Sequence, residues 1–222
     1  MPNWVSNWVS VQGKKEDVER FIEKAQQPRP TGINEETGEL EYSSDEQEVL
    51  SFWNFIAPPE EAVKSGEYFG TRGWENGEKK GDSPNNWYSW NNREWGTKWD
   101  ACHLDPHEIE VEDDNATKSY SFETAWGIPE PVFEAMVEQH PELNFDFECE
   151  EEQGWGAEYR GEEGEISLVK QWDIPNSHAD YVERDRESNC NCAWSEDTED
   201  WYADCPLPEG GTAGEEAQII YQ

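Results

Sequence analysis

Carboxylates alternate with other side chains along two short segments of the sequence. Glutamates flank Ile109 and Val111 in the first segment, and acidic residues flank Phe147 and Cys149 in the second. In an extended strand, residues on one face repeat about every 6.6–6.8 Å, which is comparable with the spacing of successive phosphates along one nucleic-acid strand. We therefore predict two lines of negative charge that bind a basic partner. They are formed by Glu108, Glu110, Glu112, Asp146, Glu148 and Glu150.

A second candidate site is a zinc centre near the C-terminus. Its candidate ligands are His178, Cys190, Cys192 and Cys205. Thiolates and imidazoles are preferred zinc ligands, and a structural zinc would allow so polar a segment to fold. The pattern is weaker than in common zinc sites, because the close pair is Cys-x-Cys and no second close pair is present. A still weaker cluster is Cys102, His103 and His107. Apart from this candidate zinc, we expect no cofactor.

Tryptophans are concentrated between residues 86 and 101. The rings in question are Trp87, Trp90, Trp95 and Trp99. They could stack on bases or sugars, with Lys98 contacting an anion. Alternatively, they fill the space between an inserted segment and a sheet, with Gly96 in a turn. We favour the packing role, because the surrounding negative charge opposes nucleic-acid bases.

Catalytic motifs are missing from the sequence. It contains no glycine-rich phosphate loop, no nucleophile elbow and no His-Glu-x-x-His string. Among 52 acidic residues, any single carboxylate pair is uninformative about acid–base chemistry. We therefore expect a protein that is not an enzyme.

Charge is the strongest property of the composition. The 222 residues include 16 Lys and Arg against 52 Asp and Glu, which gives a net charge of −36. This charge argues against nucleic acid and anionic membranes as direct partners and favours a basic protein. Five cysteines, the lack of a signal peptide and the lack of a long apolar stretch predict reduced thiols and a cytoplasmic location.

The hydrophobic pattern predicts an α+β domain. Residues 3–12 alternate like a strand, and residues 15–26 carry apolar side chains at helical spacing. An irregular segment with one helix over residues 45–55 follows, and we treat about 27–103 as an insertion. Later strands are predicted at 107–112, 119–126, 143–150, 155–159 and 166–172, with a helix opening at Pro129 and Pro131.

This order is typical of the ferredoxin-like split β-α-β fold, an antiparallel sheet with two helices on one face. The Trp-rich insertion would interrupt a domain of residues 1–172. Residues 173–222 would form an acidic C-terminal extension.

The chain resembles a known family in three segments. These are PNWVSNWVSV, NWYSWNNREWGTKWDA and SFETAWGIPEPVFEAMVEQHPELNFDFECEEEQGWGAEYRGEEGEI. They are similar to the YubB-like ferredoxin-like proteins carried by plasmids and phages. The resemblance implies the fold and a mobile-element origin, but no activity that could be transferred residue by residue.

Taken together, these features predict a phage- or plasmid-encoded inhibitor that acts in the host cytoplasm. It would occupy a basic groove of a host nucleic-acid-binding or defence protein by nucleic-acid mimicry. The alternatives are a ligand-binding module that uses the Trp-rich segment, and a zinc-stabilised protein of unknown activity. A merely solvated acidic surface or adaptation to high salt would also account for the charge.

Overall fold

The structure is a computed structural model, and it describes residues 2–34, 36–42, 50–70, 74–75, 78–79, 83–175 and 180–181. The chain divides into two compact units. The first contains residues up to 152 together with 156–171, and the second contains 153–155 and the residues from 172 onwards. Among the described residues, no helix combines the length and apolar character needed to cross a bilayer.

Strands dominate the described part of the chain. The strands are β1 (Trp4–Lys14), β2 (Pro30–Ile33), β3 (Leu40–Tyr42), β4 (Trp74–Glu75), β5 (Glu78–Lys79), β6 (Cys102–Pro106), β7 (Glu110–Glu112), β8 (Asn115–Ala125), β9 (Asn144–Glu151), β10 (Gly156–Glu162) and β11 (Glu165–Trp172). The helices are α1 (Lys15–Ala25), α2 (Glu60–Lys64), α3 (Trp87–Glu94) and α4 (Glu130–Gln139), and a 3₁₀ helix spans Phe52–Asn54.

One sheet organises the first unit. Its strand order is β11-β10-β9-β1-β8-β6, and the short strand β7 also pairs with β8. The central strand β1 is antiparallel to β8 and to β9. The pairs of β9 with β10, and of β8 with β6 and β7, are antiparallel as well. The predicted α+β class with an antiparallel sheet is therefore confirmed.

Helices α1 and α4 pack on the same side of this sheet, which we call the covered face. Phe21 of α1 lies edge-on to Phe145, with ring centroids 5.7 Å apart, and Phe133 of α4 stacks on Phe147 at 4.2 Å. Val9 of β1 is fully buried between these clusters. Both predicted helices are thus confirmed, because their apolar residues recur at the spacing that points one side inward.

The Trp-rich insertion also contacts the covered face. Phe52 lies edge-on to Trp95 and to Phe122 of β8, with centroid separations of 5.8 and 5.7 Å. The Asp100 carboxylate accepts hydrogen bonds from the Ser51 hydroxyl at 2.6 Å and the Phe52 amide at 2.7 Å. This part of the insertion therefore covers the sheet directly, next to α1.

The predicted turn at Gly96 is confirmed. Its φ of +75° lies in the left-handed region, and a Cβ there would lie 2.9 Å from the Ile128 carbonyl oxygen. Both conditions favour glycine.

One local prediction was wrong, and one strand was missed. The helix expected over residues 45–55 is a short 3₁₀ helix where it is described, at Phe52–Asn54, and residues 43–49 lie outside the described residues. The strand β6 was not predicted, because register shifts along it hide the alternation that marks a strand.

Candidate protein-binding face

The side of the sheet opposite α1 and α4 presents polar and charged side chains, and we call it the open face. Strand alternation assigns residues to it, because successive side chains of a strand point to opposite sides. In β1, Val9 is fully buried on the covered face, whereas its neighbour Trp8 is 55% exposed on the open face. Ser6 and Ser10 flank Trp8 on that side and leave its ring accessible.

Strand register brings the acidic residues of β9 beside this tryptophan. Trp8 lies opposite Glu148, and Glu148 lies opposite Glu158 of β10. In the neighbouring row, Asp146 is flanked by Ser10 of β1 and by Arg160 of β10. In both rows, the residue on β1 is neutral, whereas the residues on β9 and β10 are charged.

The three acidic residues of β9 differ in their surroundings. Asp146 accepts a hydrogen bond from the Arg160 guanidinium at 3.1 Å, so its charge is partly balanced. Glu148 is exposed and has no ion pair among the described residues, whereas Glu150 is half-buried. Of these three residues, only Glu148 therefore offers an exposed carboxylate without an ion pair among the described residues.

The second predicted line of charge lies on the same face but on a different strand. Glu110 and Glu112 of β7 are exposed and lie opposite Thr117 and Asn115 of β8. Strands β8 and β1 separate β7 from β9, which places the two lines about 14 Å apart across the sheet. The structure therefore brings these residues onto one face without bringing the two lines into contact.

Glu108 does not belong to this line, and its prediction as a strand residue was wrong. Residues 107–109 lie outside β7, because Pro106 pairs with Tyr120 whereas Glu110 pairs with Thr117. The intervening chain is one residue longer than its partner, which breaks the alternation. The negative charge of Glu108 instead interacts with Lys118, a buried residue of the covered face. Burial lowers the pKa of Lys118, and the attraction to Glu108 offsets part of this decrease.

A groove of about 220 Å³ lies beside Trp8 on the open face. Its lining includes Trp8 of β1, Glu148 of β9, Glu158 and Arg160 of β10, and Val169 of β11. Near the same indole, His107 lies roughly parallel to the ring, with centroids 6.4 Å apart and an interplanar angle of 23°. Aromatic surface and negative charge thus meet at one accessible concavity.

The opposite end of the open face carries a second aromatic group. Trp4 contacts the rings of Trp99 and His103, with centroids 5.8 and 5.0 Å away. The Lys98 ammonium lies 4.1 Å from the Trp99 ring centroid. His103 also pairs with Glu123, the acidic residue that β8 places on this face. Here the acidic side chain has an imidazole partner, whereas Glu148 beside Trp8 has no ion pair among the described residues.

The other tryptophans of the Trp-rich segment support the packing role. Trp90 and Trp95 are 3% and 2% exposed, and their rings meet edge-on at 5.4 Å. The Trp95 indole nitrogen donates to the Ile56 carbonyl oxygen at 2.9 Å. These two rings are unavailable for stacking on a ligand, whereas Trp87 and Trp99 are half-buried.

The candidate metal ligands are only partly described. His178, Cys190, Cys192 and Cys205 lie outside the described residues. In the weaker cluster, the Cys102 thiol contacts the Asp100 carbonyl oxygen at 3.3 Å, and the two imidazoles contact Glu123 and Ser121. Among the described residues, no three His, Cys, Asp or Glu side chains are grouped so as to hold a metal ion.

The two described cysteines are free thiols. Burial raises the pKa of Cys149 far above its usual range, and burial next to Asp100 also raises the pKa of Cys102. A raised pKa disfavours the thiolate, which is the nucleophilic form. Neither thiol therefore has the environment of an activated nucleophile.

Comparisons with known proteins give little further information. A scan against protein-family models finds no match to the chain, and a search of curated proteins finds none either. One solved structure is similar to the chain, described as a protein api92 from Yersinia pseudotuberculosis with family model DUF1281. The match covers 79% of this chain and 99% of that one, at 7% identity and a TM-score of 0.43. Similarity at this level carries no argument about fold or function.

Three residues of the open face were missed as site residues by the sequence reasoning. They are Trp8, Glu158 and Arg160. The alternation of β1 already put Trp8 on the side opposite Val9, and a large exposed indole there was an available signal. The positions of Glu158 and Arg160 depend on the pairing of β10 with β9, which no local pattern reveals.

Proposed function

We propose that this protein is a non-enzymatic inhibitor whose open face occupies a basic groove of a nucleic-acid-binding protein. The observation that carries the proposal is the exposed, acidic and structurally fixed surface on one side of the sheet. Its outward carboxylates sit on β7, β9 and β10, which are tied together through the register of β8 and β1. A rigid display of charge suits recognition better than the same charge on a flexible chain.

The proposed fold is the ferredoxin-like one, with β9, β1, β8 and β6 as the four strands of its sheet and β10 and β11 added beside β9. Their spatial order, with α1 and α4 on one side, supports this assignment. In RNA-binding domains with such a four-stranded sheet, the surface of the sheet stacks bases. In this protein the corresponding side carries carboxylates, so its partner would be the protein that normally binds a polyanion.

Electrostatics supports a basic protein partner. A net charge of −36 accelerates the encounter with a positively charged cleft, and this electrostatic attraction weakens as salt is added. We extend the proposal to a phage or plasmid origin and to the host cytoplasm as the site of action, with a defence complex as the target. Membership of the YubB-like family is proposed on the sequence resemblance.

A pair of charge-matched variants tests the proposal. The face variant replaces Glu110, Glu112, Glu148 and Glu158 with Gln, and the helix variant replaces Glu16, Glu23, Glu134 and Glu138 with Gln. Each variant removes four charges from exposed or half-buried positions, and the helix set lies on α1 and α4. Asp146 and Glu150 are retained, because Asp146 is paired with Arg160 and Glu150 is half-buried.

The immobilised protein is incubated with a bacterial lysate at low salt, and the retained protein is identified and purified. We expect duplex DNA to compete with the chain for this partner. The face variant should bind at least about tenfold more weakly, equivalent to about 1.4 kcal/mol, whereas the helix variant should bind like the wild type. Equal weakening of both variants, or an absence of competition by DNA, would contradict the proposal.

A further inference from the structure

The groove beside Trp8 combines features that suit an organic cation. We propose that it receives an arginine side chain of the partner protein, whose guanidinium stacks on the Trp8 indole and bonds to Glu148 and Glu158. This inference rests on the proposed function, because it names the chemical group by which the partner would be held. The residues that carry it lie on three neighbouring strands of the sheet.

The exposed indole is the first feature. Trp8 lies on the central strand of the sheet and is nevertheless 55% exposed. The residues opposite it on its two neighbours are Ser121 and Glu148. His107, bonded to the Ser121 hydroxyl, lies beside the indole on the Ser121 side, and the groove opens on the Glu148 side. A flat aromatic surface that is open to solvent can accept a cation over its ring, and tryptophan binds cations better than other aromatic residues do.

The arrangement of charge is the second feature. Glu148 and Glu158 face each other across β9 and β10, and neither has an ion pair among the described residues. Like charges in directly opposite positions destabilise a sheet, and a cation placed between them would remove that repulsion. The neighbouring Asp146 already pairs with Arg160 at 3.1 Å, which leaves Glu148 and Glu158 as the carboxylates of these two rows that an external cation would contact.

The size and lining of the groove select the type of cation. A volume of about 220 Å³ bounded on one side by Val169 provides apolar surface for the methylene groups of a long side chain. A planar guanidinium can stack on the indole and donate hydrogen bonds in the same plane to two carboxylates. A lysine ammonium would satisfy the charge but cannot stack in this way.

The experiment uses the full chain and small cationic probes. L-argininamide, L-lysinamide and neutral citrullinamide are titrated at constant ionic strength into ¹⁵N-labelled protein, and the tryptophan indole N–H signals are followed by NMR. The Trp8 signal is identified by its disappearance in Trp8→Phe. We expect argininamide to shift this signal saturably, lysinamide to bind at least about threefold more weakly, and citrullinamide to have no effect.

Two charge-matched variants locate the interaction. Glu148→Gln with Glu158→Gln should weaken argininamide binding at least about fivefold. Glu134→Gln with Glu138→Gln, which removes the same charge from exposed positions of α4 on the other side of the sheet, should leave it unchanged. Equal binding of lysinamide and argininamide would overturn the stacking geometry, and equal effects of the two variants would overturn the location. A Trp8 signal that none of the probes shifts would overturn the proposal as a whole.

These outcomes can be separated from failure of the proposed function. If argininamide binds at Trp8 but the lysate partner binds the face variant as tightly as the wild type, the groove proposal is supported and the inhibitor proposal is contradicted. If the partner depends on the face carboxylates while Trp8 remains insensitive to argininamide, the inhibitor role remains and the groove assignment fails.

Discussion

The two faces of the central sheet are built from alternate residues of the same strands, yet they differ in burial and in charge. On the covered face, Val9 and Phe147 are almost fully excluded from solvent by α1 and α4. On the open face, their neighbours Trp8 and Glu148 expose an apolar ring and a carboxylate that faces another carboxylate. Packing explains the first arrangement, whereas the second lowers stability, which is typical of surfaces retained for binding.

The largest difference between the faces should appear when aromatic rings are removed. Phe133→Ala deletes a ring that stacks on Phe147 at 4.2 Å in the buried core. We expect it to lower the free energy of unfolding by about 3–5 kcal/mol. Trp8→Ala should cost less than about 1 kcal/mol, because the ring is more than half exposed. Urea unfolding measures both, and similar losses would mean that Trp8 belongs to the core.

The covered face should also be the more sensitive to acid. His140 is 7% exposed and packs against Phe21, and burial lowers its pKa, with a smaller contribution in the same direction from Lys24. The folded state therefore disfavours the protonated imidazole. Stability is fully present above the unfolded-state pKa near 6.5 and is lost as the pH falls towards the folded-state value.

Comparison with His140→Leu isolates this effect from the titration of the many carboxylates. Between pH 7.5 and pH 5, the wild type should lose up to about 2 kcal/mol more stability than the variant. Denaturant unfolding at both pH values measures the difference. Identical pH dependence of the two proteins would show that His140 does not couple folding to protonation.

The smallest expected effect concerns the opposed carboxylates of the open face. Glu158→Gln removes repulsion with Glu148 and should raise the free energy of unfolding by about 0.2–1 kcal/mol at low salt. Asp146→Asn, which removes the same charge in the adjacent row, should instead lower it slightly through loss of the Arg160 contact. Thermal unfolding at low and high salt tests the sign. A destabilised Glu158→Gln would indicate that Glu158 has a structural partner.

The elements predicted best were those whose pattern is dictated by burial. β1, α1 and α4 each bury one regularly spaced set of residues, so their positions follow from local periodicity. β6 and the Glu108 position could not be found in this way. Register shifts there separate the sequence alternation from the actual orientation of the side chains.

The candidate site was predictable only in part. The alternation of β9 correctly places Asp146, Glu148 and Glu150 away from the helices. Whether a carboxylate is already paired depends on the neighbouring strand, and the Arg160 contact to Asp146 arises from pairing that the sequence does not encode locally. The extra strands β10 and β11 also place β9 inside the sheet, whereas four strands alone would leave it at an edge.

The irregular margin formed by β6 and β7 has a consequence for how copies of this protein behave at high concentration. A straight strand at the border of a sheet can template pairing with another molecule and so start aggregation. Here the border bends at its register shifts, and Pro106 removes one hydrogen-bond donor. Together with the mutual repulsion of the acidic surfaces, this disfavours the joining of two copies along that border.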